Sequence, residues 1–300
     1  MSYETFGLAE GLEQLAAVAQ YGQITLAAKH LGIPQPTLSR SLARLSQELG
    51  TPLLQREGRG IRLTPHGELL ANSARRALDE LLAGVRAVRA EADPDTGTVI
   101  LGFLHSLGPL VIPALLRGFR RQHARVKVRL VQDSADGLLQ RIPTGAVDLV
   151  LAAPVPSDHR WEAHPLAEQP LILLVPDGHR LIGRRTVALS ELAGQDFVTL
   201  ASGYGVRTIT DQLLRASGVP LRYAFESQEM TTAAGLVAAG LGIAILPPGN
   251  EVPGTRQLAL SDAGASRTLS LVWSAGRPLS PPAVQLRDHL VRKAPAMLRV

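Results

Sequence analysis

Cysteine is absent from this 300-residue chain, which excludes disulfide scaffolding, thiolate metal sites and cysteine-based redox switching together. Aromatic residues are scarce at 4%, too few for a protein that reads single-stranded nucleic acid by stacking bases on rings. Residues 1–14 carry neither a basic start nor an apolar core, so no secretory leader is expected. No lysine follows a glycine anywhere, which removes a phosphate-binding P-loop. One charge-free stretch, between Glu229 and Glu251, is interrupted by Gly235, Gly240, Gly242 and Gly249 and closed by Pro247-Pro248. A bilayer span wants about 20 predominantly apolar residues. This one reads instead as a buried helix, a glycine turn and a buried strand, and no membrane partner is expected.

What is present is a globular composition, 45% hydrophobic and 19% charged, in a chain long enough for two or three compact units. The net charge of +5 leans toward an acidic partner, and its distribution says more. Residues 29–76 hold eight Lys or Arg against three acids, an excess of five equal to that of the whole chain. Nearly all of that charge is arginine, the better two-pronged donor to phosphate and guanine.

Within the first seventy residues, Leu12, Leu15 and Val18-Ala19 fall at helical spacing and predict a first amphipathic helix over 10–20. A second helix follows Gly22, with Leu26, Ala27, Ala28 and Leu31 expected on its inner face. Gly32-Ile33-Pro34 cannot continue it. A third helix starts near Gln35-Pro36, with apolar Leu38, Leu42 and Leu45 on one side and Gln35, Thr37, Ser39, Arg40, Ser41 and Arg44 on the other. Two short helices, a glycine turn and a polar, basic third helix describe a helix-turn-helix, whose second helix of the pair enters the major groove. The apolar runs Pro52-Leu53-Leu54 and Ile61-Arg62-Leu63 flank Arg56-Glu57-Gly58-Arg59-Gly60, predicting a hairpin wing with Arg59 at its tip. Thr64, Pro65 and Glu68 then offer an N-cap, a first-turn proline and a capping-box acid for a long helix over 64–92. Its stripe of Leu70, Ala74, Ala77, Leu81, Val85 and Val88 either forms a dimer seam or packs on its own domain.

Pro94-Asp95-Thr96-Gly97 breaks that helix. Beyond it, strands are expected over 99–104, 126–131 and 147–151, with helices over 109–121 and 135–142. A second series follows: strand 171–175, a helix near 189–192, strand 197–200, helix 208–216, strand 222–225, helix 230–239 and strand 243–246. Strand 269–273 and helix 282–293 return to the first set. This alternation predicts α/β units with mostly parallel strands, arranged as two lobes joined by crossings near Glu168 and Arg267. Ligands in such sheets bind outside the carboxyl ends of the strands. Those ends supply His105-Ser106, Gln132-Asp133-Ser134, Ala201-Ser202-Gly203 and Glu229-Met230-Thr231. The candidate ligand contacts are Ser106, Ser134, Ser202 and Thr231, each of which is also a candidate helix cap. Glu229-Met230-Thr231 opens a helix whose N-terminal N–H groups favour an anionic ligand.

The run Ala27-Ala28 … Leu31, Gln35-Pro36-Thr37-Leu38-Ser39, Leu45, Leu49-Gly50, Pro52-Leu53-Leu54, Arg56 and Leu63-Thr64-Pro65-x-Gly67 resembles the LysR-type transcriptional regulators. The resemblance continues in Gly97-x-Val99-x-Leu101-Gly102, Leu110-x-x-Pro113, Phe119, Gly145-x-x-Asp148 and Gly240-Leu241-Gly242-Ile243-Ala244-x-Leu246-Pro247. It implies an α plus α/β architecture: a winged helix-turn-helix (1–67), a linker and dimerisation helix (68–93) and a two-lobed, periplasmic-binding-protein-like effector domain (94–300). Lobe 1 would span about 97–167 plus 268–300, and lobe 2 about 168–267. It also implies a cytoplasmic homodimer or homotetramer that binds an inverted repeat in double-stranded DNA, answers to a small effector without a cofactor, and acts on RNA polymerase. Gln35, Thr37, Ser39, Arg40 and Arg44 become the groove-facing residues and Arg59 the wing contact. Pro34 stands where many members have a serine cap, and Leu54 where they have Phe. The wording Gly102-Phe103-Leu104-His105-Ser106-Leu107-Gly108 is most similar to regulators related to the glutamate synthase activator.

Other classes are disfavoured by particular residues. Leu104-His105-Ser106-Leu107-Gly108 lacks the leading glycine of a nucleophile elbow, and Gly203-Tyr204-Gly205-Val206-Arg207-Thr208 lacks the third glycine of a dinucleotide fingerprint. His159-Arg160-Trp161-Glu162-Ala163-His164 has neither the order nor the spacing of a zinc-protease helix and reads as an exposed loop. A transporter's solute-binding protein shares the two-lobed shape but not the first 93 residues.

Overall fold

A computed structural model of the chain describes residues 9–57, 60–93, 95–220 and 222–298. The chain divides into two compact units, Met1–Gly84 and Val85–Val300. Arg59, expected at the wing tip, and Pro94, expected to break the long helix, lie outside the described residues.

The first unit gathers α1 (Ala9–Tyr21), α2 (Ile24–Leu31) and α3 (Gln35–Glu48) around Leu15, Val18, Ala27, Leu38, Leu42 and Leu45, all buried. Ala27 is fully buried, and a side chain that small lets the helices cross closely. The inner stripe of α2 differs from expectation. The helix starts at Ile24, so Ile24, Ala27, Ala28 and Leu31 share one face, and Leu26 falls off it at 46% exposure. Ser41 of α3 likewise leaves the polar face: it stands one turn before Leu45, and its hydroxyl is buried.

Strands β1 (Leu54–Glu57) and β2 (Gly60–Leu63) pair antiparallel with Leu54 opposite Leu63. The first starts two residues later than the sequence suggests, because Leu53 is used as a core residue at 1% exposure. Thr64 caps α4 (Pro65–Ala92), accepting the Gly67 N–H at 3.0 Å and donating to the Pro52 carbonyl at 2.8 Å. No capping box closes here, since the third helical position is glycine and Glu68 comes one residue too late. Gly67 is there for space: a Cβ would meet the Leu53 carbonyl oxygen at 2.1 Å.

In the second unit, β3 (Gly97–Leu104), β4 (Val126–Asp133), β5 (Leu149–Ala152), β6 (Trp161–Pro170) and β13 (Ser266–Ser274) form one sheet in the order β4-β3-β5-β13-β6. α5 (Val111–Gln122), α6 (Ala135–Leu139) and α9 (Pro281–Leu298) cover it, burying Phe119, Leu138 and Leu286. A second sheet holds β7 (Ile172–Pro176), β8 (Thr186–Val187), β11 (Ala244–Leu246) and β12 (Thr255–Leu260) in the order β11-β7-β12-β8. Beside it β9 (Phe197–Leu200) pairs with β10 (Tyr223–Ser227) and is bridged to the start of β11 by Val198 N–H to Ile243 O at 2.8 Å. The approach requires Gly242, φ 153°, where a Cβ would lie 2.6 Å from the Asp196 carbonyl oxygen. Alternate residues face opposite sides of this sheet. Phe197, Ile243 and Ile245 pack toward α7 (Gly205–Ala216), while Val198, Ala244 and Leu246 pack against α8 (Met230–Ala238).

The expected predominance of parallel strands does not hold. β3/β4, β3/β5, β9/β10 and β8/β12 are parallel, but β5/β13, β6/β13, β7/β11 and β7/β12 are antiparallel. The antiparallel set arises where chain crosses between the sheets, at Pro170-Leu171 and Ala265-Ser266, and from β6 and β12, which the periodicity did not reveal. Of His159–His164, expected as an exposed loop, only His159 and Arg160 form an exposed turn: β6 begins at Trp161, which is buried, and its next three residues are exposed strand. The segment between Glu229 and Glu251 folds as helix, glycine turn and strand, as expected. No helix among the described residues is long and apolar enough to cross a membrane.

Gly67→Ala is expected to cost at least about 1–3 kcal/mol, because backbone must move to admit the methyl group. Gly84→Ala, in open space within the same helix, should stabilise by about 0.5–1 kcal/mol. Urea unfolding followed by circular dichroism measures both, and equal effects would refute the contact at Leu53.

Candidate nucleic-acid interface and ligand cleft

The turn before α3 is fixed by backbone alone. Gly32 adopts φ 67° and ψ 25° and closes α2, and the Ile33 N–H returns to the Ala28 carbonyl at 3.1 Å, a left-handed helix stop. Pro34 leaves the helical region at φ −61°, ψ 138°. It offers no side-chain cap, but its carbonyl accepts from Thr37 N–H at 2.9 Å and Leu38 N–H at 3.2 Å. With Leu38, Leu42 and Leu45 facing the core, Thr37, Arg40 and Arg44 are turned out to solvent and Gln35 and Ser39 are half-buried. Gln35 Nε2 donates to Ser39 Oγ at 2.9 Å. Arg40 is only loosely held, with Nε 3.4 Å from the Pro36 carbonyl, and Arg44 meets Glu48 at 3.7 Å in an exposed pair of little energetic weight.

Gln35 also lines an open groove of about 790 Å³ shared by the start of α2 (Gln23, Thr25) and by Arg62 on β2. The hairpin is joined to α3 through Ser46, whose hydroxyl donates to Leu42 O at 2.9 Å and accepts the Leu53 N–H at 3.2 Å. Ser46 thus ties the later turns of α3 to the residue that leads into the hairpin.

Between the two sheets of the second unit lies a nearly closed cleft whose residual cavity is about 20 Å³, room for a single water. His105 and Ser106 reach it from the end of β3, Asp133 and Ser134 from β4, Tyr204 and Gly205 from the start of α7, and Met230 from α8. Asp133 is neutralised by Arg141 at 2.7 Å. Desolvation raises the Tyr204 phenol, with Glu229 and Asp133 acting in the same direction. Ser134 caps α6 by accepting the Gly137 N–H at 3.2 Å. Arg267 lies at the cleft wall, 3% exposed. Among the described residues no group of three or more His, Asp or Glu is placed to hold a metal ion.

Two family models match the chain: "Bacterial regulatory helix-turn-helix protein, lysR family" over residues 10–68 and "LysR substrate binding domain" over 92–295. The chain belongs to the LysR family of transcriptional regulators. It is 36% identical over 284 residues to an uncharacterised HTH-type transcriptional regulator, YybE of Bacillus subtilis, covering 94% of this chain and 97% of that one. It is 33% identical over 239 residues to a probable hydrogen peroxide-inducible genes activator of Mycobacterium leprae, covering 79% and 76%. The fold matches full-length CbnR in complex with its target DNA at a TM-score of 0.72, with 23% identity over 95% of this chain and 99% of that one. This LysR-family chain is thus a DNA-binding regulator with an effector-binding domain, and not an enzyme.

Of the residues the sequence singled out in this LysR regulator, Gln35, Thr37, Ser39, Arg40 and Arg44 share α3. Ser106 and Ser134 meet at the cleft, while Ser202 and Thr231 are exposed and not among its lining residues. Sequence reasoning missed Gln23, Thr25 and Arg62 in the groove, and Tyr204 and Arg267 in the cleft. A lone cation ahead of the apolar run 269–272 was the available sign of Arg267.

Ser46→Ala should cost about 1–3 kcal/mol by leaving the Leu53 N–H without its acceptor, read as a lower urea midpoint. A midpoint unchanged from wild type would mean that water replaces the hydroxyl and that the bridge carries no weight.

Proposed function

We propose that α3 reads the major groove through Gln35, Thr37, Ser39, Arg40 and Arg44, with Arg59 of the wing meeting phosphate. The observation that carries this is the division of α3 between a core-facing leucine stripe and exposed Thr37, Arg40 and Arg44, behind a turn that only glycine accommodates. Gln23 and Thr25, at the start of α2, are suited to the sugar-phosphate backbone.

The organisation that fits is a reader over 1–67, a linker helix over 68–93 and an effector domain over 94–300, its lobes being 97–167 plus 268–300 and 168–267. The linker helix would pair with a second copy. Leu70 and Ala74 of the sequence-derived stripe pack inward, but Leu81 is 67%, Val85 46% and Val88 69% exposed, an apolar surface that calls for a partner. Two copies set their α3 helices about 10 bp apart or a multiple of it, so the target is an inverted repeat. A homotetramer acting on RNA polymerase in the cytoplasm completes the reading. Effector binding at Ser106 and Ser134, with Ser202 and Thr231 at the mouth, would alter the geometry of that assembly. The kinship to regulators related to the glutamate synthase activator stays a reading of Gly102–Gly108 alone. A peroxide response, suggested by the name of the Mycobacterium relative, would have to do without thiol chemistry, since this chain has no cysteine.

Footprinting on the DNA upstream of the gene tests the reading: a protected inverted repeat is expected, and a site without dyad symmetry refutes it. Arg40→Ala should weaken specific binding by about 1–3 kcal/mol if Arg40 reads a base, or flatten the salt slope by about one unit if it meets phosphate. Unchanged affinity at every salt concentration removes Arg40 from the interface. Leu81→Glu with Val88→Glu should lower the sedimentation coefficient toward that of a monomer, and an unchanged value excludes α4 as the seam.

A further inference from the structure

One charge in the ligand cleft has no counterpart. Arg267 stands on β13 opposite Gln169 of β6, beside the crossing strands. Its guanidinium donates from Nε and one terminal nitrogen to Gln169 Oε1, at 2.9 and 2.7 Å, and from that same nitrogen to Ser106 Oγ at 2.9 Å. Both partners are neutral, and among the described residues no carboxylate pairs with it. Burial alone pulls its pKa down, to about 9, so at neutral pH it stays charged. Leaving a cation this deep without a counter-charge is costly to folding. The chain carries that cost at the wall of the cleft between its lobes.

The surrounding groups are those an anion needs. Ser106 Oγ already accepts from Arg267 and Ser134 Oγ from Gly137, so each hydroxyl keeps its proton to give. Nδ1 of His105 is buried with no hydrogen-bond partner. The N-termini of α7 and α8 open on the same space at Gly205 and Met230, adding partial positive charge. The other charges do not compete: Asp133 is held by Arg141, and Glu229 is exposed. What remains is a single uncompensated positive charge in a setting otherwise walled by Leu104, Leu200, Val206 and Met230.

We propose that Arg267 is the charge anchor of the effector site and that the effector is a small monocarboxylate with an apolar body. A guanidinium fork matches a carboxylate in geometry, one positive charge balances one negative charge, and the apolar walls take the rest of the molecule. A dianionic phosphate would leave a negative charge uncompensated. The cleft must open about the crossing strands to admit the ligand and close over it, with Arg267 and Ser106 grasping it from the first sheet. This assignment rests on the reading of the cleft as the effector site.

Thermal unfolding of the full chain tests it, with sodium propionate, butyrate, benzoate and phenylacetate compared with their amides, sodium phosphate and sodium chloride. The expected result is a rise in Tm with at least one carboxylate and none with its amide or with phosphate. Arg267→Gln should raise the dissociation constant of that carboxylate at least about tenfold, while its unliganded Tm is no lower than that of wild type. Should Arg267→Gln fail to fold, Arg267→Lys serves: it keeps the charge, loses the fork, and must bind the carboxylate more weakly. No shift with any carboxylate, or an equal shift with an amide or with phosphate, overturns the ligand class. A carboxylate shift that survives Arg267→Gln overturns the anchor. Ser134→Trp, which fills the cleft, separates the two readings. A shift lost there but kept in Arg267→Gln leaves the cleft standing without Arg267, and a shift kept in both removes the cleft as the site.

Discussion

Strands β6 and β13 pair antiparallel from Trp161 opposite Ser274 to Pro170 opposite Ser266, and at the latter end both leave one sheet for the other. The geometry of the second unit depends on this ladder. The two crossings are hydrogen-bonded neighbours that join the lobes along one edge, and away from it the lobes meet by packing, Gly205 on Ala153 and Tyr204 beside His105. The ladder also decides what sits at that edge. Arg267 and Gln169 are directly opposite each other and their side chains interact, so the guanidinium is held by the crossing itself and turned toward Ser106 on the first sheet.

Around that edge the remaining strands deliver their carboxyl ends and the following helix starts to one place. β3 ends in His105-Ser106, β4 in Asp133-Ser134, and β9 leads through a short turn into α7. The start of α7 is packed so tightly that a Cβ at Gly205 would fall 2.2 Å from the Ala153 carbonyl oxygen. Position 205 therefore has no room for a side chain, and the polar groups lining the cleft come from His105, Ser106, Asp133, Ser134, Tyr204 and Arg267. This chain is similar to a probable hydrogen peroxide-inducible genes activator but has no cysteine, and its cleft presents charge, hydroxyls and shape in place of any thiol.

Much of this was legible in the sequence because it rests on local periodicity or on glycine. The stripe Leu38, Leu42, Leu45 and the stop at Gly32 required no tertiary knowledge, and neither did the helix-turn-strand of residues 230–246. What failed was decided by tertiary contacts. β6 is exposed along its first half after Trp161 and picks up buried residues only at Leu166, Ala167 and Gln169, so it shows neither a continuous apolar run nor regular alternation. Leu26 was misplaced because neighbouring helix residues stand about 100° apart, and the stripe that runs from Ile24 through Ala27, Ala28 and Leu31 leaves it outside. Ser106 and Ser134, singled out by the rule that ligands gather at strand ends, do line the cleft. Arg267 was not singled out by it, because a buried cation looks like a surface one until the strands on either side are known.

The C-terminal turns of α4 are tied to the loop before β5. Arg86 donates to the Gly145 carbonyl at 2.5 Å and lies 3.9 Å from Asp148, whose carboxylate accepts the Ile100 N–H at 2.7 Å. Burial pushes the Asp148 carboxyl up, opposed by that N–H and by Arg86 and Arg277. The Asp148 carboxyl thus ties together β3, the loop before β5 and the helix. The contact lies in β3, the strand whose far end presents His105 and Ser106 to the cleft. β3, eight residues long, therefore runs between the cleft lined by His105 and Ser106 and the contact of Asp148 with Arg86 in the last turns of α4.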